Sequence, residues 1–167
     1  VYPHTDTHAL AELLTQHPAR RRLVVTDSVF SMDGDHAPLC DIATIAAAHG
    51  AMLMVDEAHA TGIDGPSGAG LVEALGLHDA VTVQMGTLGK ALGCAGAFIA
   101  GSQSLIDLLV NRARCLIYTT ALPRPIVAAV AMILRAGVLG LPLGPAFGPS
   151  VLFRALAAAV IGRMENF

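Results

Sequence analysis

Four short apolar runs recur along the first two thirds of this chain, and segments with helical periodicity separate most of them. Apolar runs of about four to eight residues are typical of strands inside a sheet, and intervening helices are typical of parallel β-α-β units. The runs are Leu23–Thr26, Ala51–Val55, Ala80–Met85 and Ala95–Ala100. This alternation predicts an α/β fold with a mostly parallel sheet flanked by helices.

The predicted helices have recognisable boundaries. Pro18 ends the first one, Pro38 suits the first turn of the second, and Gly50 follows the end of the second. We expect Ala51–Val55, which is continuously apolar, to be buried on both faces. The helices are predicted over Thr5–His17, Pro38–His49, Leu71–Leu75, Ser104–Arg114 and Pro125–Arg135, and Leu116–Thr119 is a possible further strand.

Polar side chains follow the predicted strands. Ser31 comes after the first run, Asp56 and His59 after the second, and Thr87 and Lys90 after the third. In open α/β sheets, ligands bind outside the carboxyl ends of the strands. The sequence therefore predicts that these five residues contribute to one site.

Lys90 is the single lysine of the chain, among ten lysine and arginine residues. It lies in the small, glycine-rich and almost uncharged segment Gly86–Gly93. Partial desolvation there would disfavour the ammonium form and make the amine a candidate nucleophile. Codon bias alone could also leave one lysine in an arginine-rich chain, so this interpretation depends on the surrounding residues.

A lysine, a carboxylate and a histidine at one sheet edge suit the cofactor pyridoxal 5′-phosphate (PLP). The amine can form a Schiff base with the aldehyde, and the ring nitrogen needs a carboxylate partner to stay protonated. The phosphate needs hydroxyl and backbone N–H groups, which Gly86 and Thr87 offer. His59 follows Asp56 by three residues, so it can stay on the same local turn and reach the ring.

At these residues the chain resembles the α-oxoamine synthase family of PLP-dependent enzymes. The resemblance covers roughly Thr26 to Pro123 and implies part of the large domain of the aspartate aminotransferase fold, fold type I. The matching motifs are Ser28–Asp35, Asp56–Gly62, Gly86–Gly93, Asn111–Arg114 and Tyr118–Pro123.

The resemblance implies a role for each candidate residue. Lys90 would form the Schiff base with the cofactor and then act as the base that removes the substrate proton. Asp56 would pair with the pyridine nitrogen, and His59 would donate a hydrogen bond to the phenolic oxygen. Ser31 would contact the cofactor near that oxygen, and Thr87 would contact its phosphate.

The resemblance also implies the partners. Family members are homodimers, in which the segment holding Thr119 and Thr120 would approach the cofactor phosphate of the other subunit. They condense an amino acid with an acyl thioester and release carbon dioxide, so the substrates are small molecules. The member that the motifs match best joins L-alanine to pimeloyl-CoA or a pimeloyl-carrier thioester in biotin biosynthesis. The member that forms 2-amino-3-ketobutyrate is the nearest rival, and the one that forms 5-aminolevulinate fits Ala58 and Thr61 less well.

A function of another class stays open. Family members are longer, and the chain starts at Val1, so we expect a trimmed chain or a piece of a longer one. We predict a partial PLP-binding domain over residues 1–135, and we assign no structure to the apolar, glycine- and proline-rich residues 136–167. The alternative is a catalytically inactive remnant or an interaction module.

Composition excludes several other classes. The net charge is −3 and basic residues cluster only at Arg20–Arg22, which argues against nucleic acid. Three widely spaced cysteines fit a reducing, cytoplasmic setting. Prolines and glycines interrupt the longest uncharged stretch, Ala136–Phe153, so we expect no membrane span. His4 and His8 have i,i+4 spacing without a further ligand, so we expect no metal site.

Overall fold

A computed structural model describes residues 1–123 and Ile126 of the 167-residue chain. The predicted helix Pro125–Arg135, except for Ile126, and all of residues 136–167 lie outside the described residues. The elements are α1 Thr7–Gln16, β1 Leu23–Asp27, α2 Leu39–Ala48, β2 Met52–Asp56, α3 Leu71–Ala74, β3 Val83–Thr87, β4 Ala97–Gly101, α4 Gln103–Arg112 and α5 Arg114–Ile117.

The four strands form one sheet in the order β1-β2-β3-β4. Strands β1, β2 and β3 are parallel, and β4 is antiparallel to β3. The loop over residues 88–96 is shorter than the dozen or so residues that a parallel crossover needs, so the chain returns antiparallel. The prediction of an α/β fold with a mostly parallel sheet is confirmed.

One face of the sheet carries the core. Val24 of β1 and Leu53 and Val55 of β2 are buried there with Leu39 and Ile42 of α2. Burial of such side chains provides about 1.5–3 kcal/mol each and fixes which face of every strand points inward.

The opposite face of the sheet is open at β1 and β2. Leu23, Val25 and Met52 are 49%, 52% and 42% exposed. The prediction that Ala51–Val55 is buried on both faces is therefore wrong. The run is apolar on both faces, but the described residues cover only the face against α2.

The boundaries of α1 and α2 follow the sequence signals. Asp6 caps α1, because its side chain accepts a hydrogen bond of 2.9 Å from the N–H of Ala9. Pro38 occupies the N-cap position of α2, and Gly50 lies just beyond its end with φ +58°. Among the helices that the structure describes, none combines the length and the hydropathy that a bilayer span requires.

The prediction of a strand at Leu116–Thr119 is wrong. The N–H groups of Ile117 and Tyr118 donate to the carbonyls of Ala113 and Arg114, which is helical bonding and produces α5. The run is short and exposed, and no described strand lies beside it to form a ladder. Local hydrogen bonds therefore decide its conformation.

Candidate active site

The chain turns sharply at the carboxyl end of β2. The carbonyl of Glu57 accepts hydrogen bonds from the N–H groups of Ala60 and Thr61, at 3.0 and 2.7 Å. Asp56 supports the turn, because its Oδ1 accepts a hydrogen bond of 2.8 Å from the N–H of Ala58. Its Oδ2 makes no hydrogen bond within the described residues, so this oxygen is available to a ligand. His59 lies on this same turn, as the three-residue spacing predicts.

Lys90 lies in the loop between β3 and β4. Leu88, which is only 2% exposed, anchors the loop: its N–H donates to the carbonyl of Gly96, and its carbonyl accepts from the N–H of Cys94. Gly93 closes the turn after the lysine, with φ +59° and an N–H that donates to the Lys90 carbonyl at 3.0 Å. The lysine side chain is therefore exposed on a loop with a buried anchor.

The two loops meet at Lys90 and His59. Lys90 Nζ lies 2.7 Å from His59 Nε2. Gly62 follows the β2 turn with φ +84°, and a Cβ there would lie 3.0 Å from Ala91 Cβ. The glycine therefore permits a close approach of the turn to the residue next to Lys90.

Thr87 is the last residue of β3, and its side chain lies on the same sheet face as Asp56. The register pairs Asp56 with Met85, and alternation then places Thr87 on the face of Met85. Its Oγ1 is buried and has no hydrogen-bond partner among the described residues. A buried hydroxyl without a partner is costly, so this oxygen suits a ligand oxygen nearby.

Ser31 and Thr120 are not joined to these residues. Ser31 is exposed in the turn after β1, where the N–H of Gly34 donates to the carbonyl of Phe30. Thr120 is exposed beyond α5. Within the described part of the chain, neither residue hydrogen-bonds to Asp56, His59 or Lys90, so their predicted roles stay predictions.

Sequence reasoning missed two carboxylates beside Asp56. Asp27 ends β1 and is the register partner of Asp56, so the two carboxylates lie on one sheet face in adjacent strands, about 5 Å apart at the backbone. Glu57 follows Asp56 and is fully buried. The signal for Asp27 was its position at the end of an apolar run, which is the property that singled out Asp56.

The two glutamates around the glycine-rich segment 62–70 have opposite pKa shifts. Burial raises the pKa of Glu57 above its ordinary value of 4.5, and the nearby Ser28 hydroxyl and the N–H groups of Val72 and Leu71 offset only part of this effect. Burial also acts to raise the pKa of Glu73, but hydrogen bonds from Ser67 and from the N–H of Ala69 lower it overall.

A separate cluster lies where the chain enters α1. His4 Nε2 is 2.9 Å from Asp35 Oδ2, and Asp33 adds a third potential ligand. All three residues are exposed. His4 precedes α1, and His8 on that helix lies 3.4 Å from Glu12.

Comparisons with known proteins found relatives of this chain by sequence and by fold. Residues 1–135 match the model of the family "Aminotransferase class I and II". The chain is 65% identical over 120 residues to an 8-amino-7-oxononanoate synthase of Anaeromyxobacter sp. (strain Fw109-5). This alignment covers 72% of this chain and 30% of that protein.

Two solved structures share the fold. One is a serine palmitoyltransferase variant from S. paucimobilis with a bound PLP–myriocin aldimine, with TM-score 0.72 and 28% identity over 89% of this chain and 44% of that one. The other is the 8-amino-7-oxononanoate synthase of Francisella tularensis, with TM-score 0.60 and 24% identity over 89% of this chain and 49% of that one. The first curated relatives match over only 30–35% of their own length, so this chain spans about a third of each.

Proposed function

We propose, from the premise that this chain belongs to the aminotransferase class I and II family, that it is the lysine-bearing part of a PLP-dependent C-acyltransferase. The observation that carries the proposal is the 2.7 Å contact between Lys90 Nζ and His59 Nε2 at the carboxyl edge of the sheet. The relatives named 8-amino-7-oxononanoate synthase support the more specific assignment to that enzyme.

The residues present suit PLP. Bound PLP would supply an aldehyde for a lysine amine and a ring that accepts electrons. Lys90 is the single lysine and lies exposed in its loop, so its amine is open to an incoming aldehyde. The unpartnered Oγ1 of Thr87 would hold a phosphate oxygen on the sheet face of Asp56.

Asp56 and His59 divide the polar contacts to the ring. The free Oδ2 of Asp56 would accept a hydrogen bond from a protonated ring nitrogen, while Oδ1 keeps the turn closed through the N–H of Ala58. His59 would orient the ring through its phenolic oxygen. Its contact with Lys90 also places a proton donor and acceptor beside the amine, which suits a lysine that must give up and take a proton.

The remaining assignments concern residues outside the contact between Lys90 and His59. Ser31 would contact the cofactor near the phenolic oxygen, and Thr120 would reach the cofactor phosphate of a second copy in a homodimer. Both side chains are exposed, so a cofactor or a second copy can reach them. The family match supports a partial PLP-binding domain over residues 1–135, and we propose that the protein works in the cytoplasm.

The proposed reaction joins L-alanine to a pimeloyl thioester with loss of carbon dioxide. The names of the curated relatives support these substrates. Formation of 2-amino-3-ketobutyrate from glycine is the second candidate within the family. Because the chain spans about a third of its curated relatives, the complete reaction belongs to the whole protein, and an inactive remnant is the competing hypothesis.

Amino-acid titrations separate these candidates. The chain is first saturated with PLP. L-alanine, glycine or L-serine is then added to separate samples, and the visible spectrum of each is recorded. Pimeloyl-CoA is then added and products are identified by mass spectrometry. The proposal expects the largest spectral change with L-alanine, and any product to be 8-amino-7-oxononanoate. A larger spectral change with glycine would favour formation of 2-amino-3-ketobutyrate instead. A folded chain that binds no PLP would favour the inactive remnant.

A further inference from the structure

We propose that Glu57 is a positioning residue, which fixes Asp56 and His59 by tying the carboxyl end of β2 to the start of α3. The inference rests on the proposed function, because Asp56 and His59 are the ring contacts assigned there. Glu57 itself reaches no ligand, since its side chain is 0% exposed. It lies directly after Asp56 and two residues before His59, so a shift of Glu57 moves both.

The carboxylate of Glu57 is held on both oxygens. Oε2 accepts a hydrogen bond of 3.1 Å from the N–H of Leu71, and Oε1 accepts one of 2.7 Å from the N–H of Val72. The backbone N–H of Glu57 donates to the carbonyl of Met85 in β3 at 2.7 Å. One residue thus connects β2, β3 and α3 at the edge of the sheet where the candidate site lies.

The Glu57 carboxylate is closely surrounded by Gly70 and Ser28. Gly70 has φ +113°, and a Cβ there would lie 2.5 Å from Glu57 Oε2, so the carboxylate occupies the space that a side chain would take. Ser28 is fully buried beside Glu57, and its hydroxyl donates to the carbonyl of Asp56 at 3.1 Å. Ser28 therefore holds the backbone of Asp56 through its N–H and its hydroxyl, next to the Glu57 carboxylate.

Loss of the carboxylate would have consequences at the site. A glutamine at position 57 can accept one of the two N–H groups through its amide oxygen, but it presents an NH₂ group to the other. A buried N–H without a partner is costly, so this substitution destabilises the segment. His59 and Gly62 lie between Glu57 and its partners Leu71 and Val72 in the sequence. Loss of these hydrogen bonds should therefore loosen the contact of His59 with Lys90.

The matched control is Glu73. Its carboxylate accepts hydrogen bonds from the N–H groups of Ser67 and Ala69, so it holds the same glycine-rich segment. It does not bond to the β2 turn. Glu73→Gln should therefore weaken the segment without disturbing Asp56 and His59.

The test compares Glu57→Gln and Glu73→Gln by two measurements. The first is the ¹⁵N shifts of the His59 ring in the chain without cofactor, assigned by comparison with His59→Asn. The second is the pH midpoint of the visible absorption change after PLP is bound. We expect Glu57→Gln to alter the His59 ring shifts and to move the midpoint by at least about 0.5 pH unit, because a repositioned polar group changes the local electrostatics. Glu73→Gln should leave both unchanged.

Unchanged ring shifts and an unchanged midpoint in a folded Glu57→Gln variant would overturn the proposal. Equal effects of both substitutions would also overturn it, since they would show only a general loosening of the segment. If Glu57→Gln does not fold, Glu57→Asp takes its place, because its shorter carboxylate keeps the charge but cannot reach the N–H groups of both Leu71 and Val72. The same outcomes then support or overturn the proposal, with a smaller expected change in the ring shifts and the midpoint. If the unsubstituted chain binds no PLP, the proposed function fails, and the ring shifts alone decide the role of Glu57.

Discussion

His59 Nε2 and Lys90 Nζ lie 2.7 Å apart although the two residues are 31 positions apart in the sequence. Each side chain belongs to a different loop, at the carboxyl ends of the adjacent parallel strands β2 and β3. The strand register brings the loops to one edge, and the close approach of Gly62 to Ala91 brings them into contact. The sheet register and the small size of Gly62 together allow His59 and Lys90 to meet.

Removal of the His59 ring should weaken cofactor binding. We expect His59→Ala to reduce the apparent affinity for PLP by about 10- to 100-fold, because hydrogen bonds to charged groups are each worth about 1.5–3 kcal/mol. Equilibrium titration followed by absorbance measures this. His8→Ala is the control, since the His8 side chain is 85% exposed on α1. Equal affinity in both variants would remove His59 from the cofactor site.

Asp56→Asn should separate the two functions of this side chain. The amide oxygen of asparagine can still accept from the N–H of Ala58, so we expect the free energy of unfolding to change by less than about 0.5 kcal/mol. The negative charge is lost, so affinity for PLP should fall by about 10-fold or more. Urea unfolding and PLP titration test the two parts. A variant that binds PLP as the parent does would show that Asp56 only supports the turn.

Gly62→Ala should disrupt the contact between the two loops. Alanine at φ +84° is strained, and its Cβ would press on Ala91 Cβ at 3.0 Å. We expect a loss of about 2–4 kcal/mol in the free energy of unfolding, together with weaker PLP binding. Gly50→Ala is the matched control, because it also has positive φ, +58°, but nothing lies within 4 Å of its Cβ. It should lose only about 1–2 kcal/mol and keep its affinity for PLP.

The two glutamates of the glycine-rich segment should give stability opposite pH dependences. The pKa of Glu57 is raised on folding, so its contribution is full below the ordinary value of 4.5 and declines as the pH rises toward the folded-state pKa. The pKa of Glu73 is lowered, so its contribution is present above 4.5 and is lost as the pH falls through the folded-state pKa.

Denaturant unfolding of Glu57→Gln and Glu73→Gln across this pH range checks both signs. The Glu57→Gln variant should lose less stability than the parent as the pH rises above 4.5, and Glu73→Gln should lose less as it falls below 4.5. Curves parallel to that of the parent on both sides would contradict these assignments.

Much of this fold could be predicted from the sequence, because the apolar runs and the helix boundaries carry local signals. The strands β1, β2 and β4 lie within one or two residues of their predicted bounds, and Pro38 and Gly50 mark the limits of α2. The strand β3 begins three residues later than predicted and reaches Thr87. Apolarity alone does not show where pairing with β2 begins: the register starts at Val83, although the N–H of Thr82 already donates to the carbonyl of Leu53.

The rest depended on tertiary context. Exposure of Met52 could not be read from an apolar run, since it depends on what covers each face of the sheet. The role of Glu57 was equally hidden, because its partners Leu71 and Val72 come from a short helix beyond the glycine-rich segment. By contrast, Asp56, His59 and Lys90 could be proposed because each lies at or just after the end of a strand, and parallel strands share an edge.

The most direct test of the central claim is to map where PLP attaches. The chain is mixed with PLP, reduced with borohydride and digested, and the modified residue is identified by mass spectrometry, with Lys90→Arg as the control. Lys90 has no competing side-chain amine, and a guanidinium cannot replace it because it stays protonated. We predict that the label lies on Lys90, and that Lys90→Arg loses this label and its share of the visible band and keeps at most the label on the exposed Val1 α-amine that both chains carry. Absence of label from Lys90 in the folded chain, or a visible band of undiminished intensity in Lys90→Arg, would contradict the assignment.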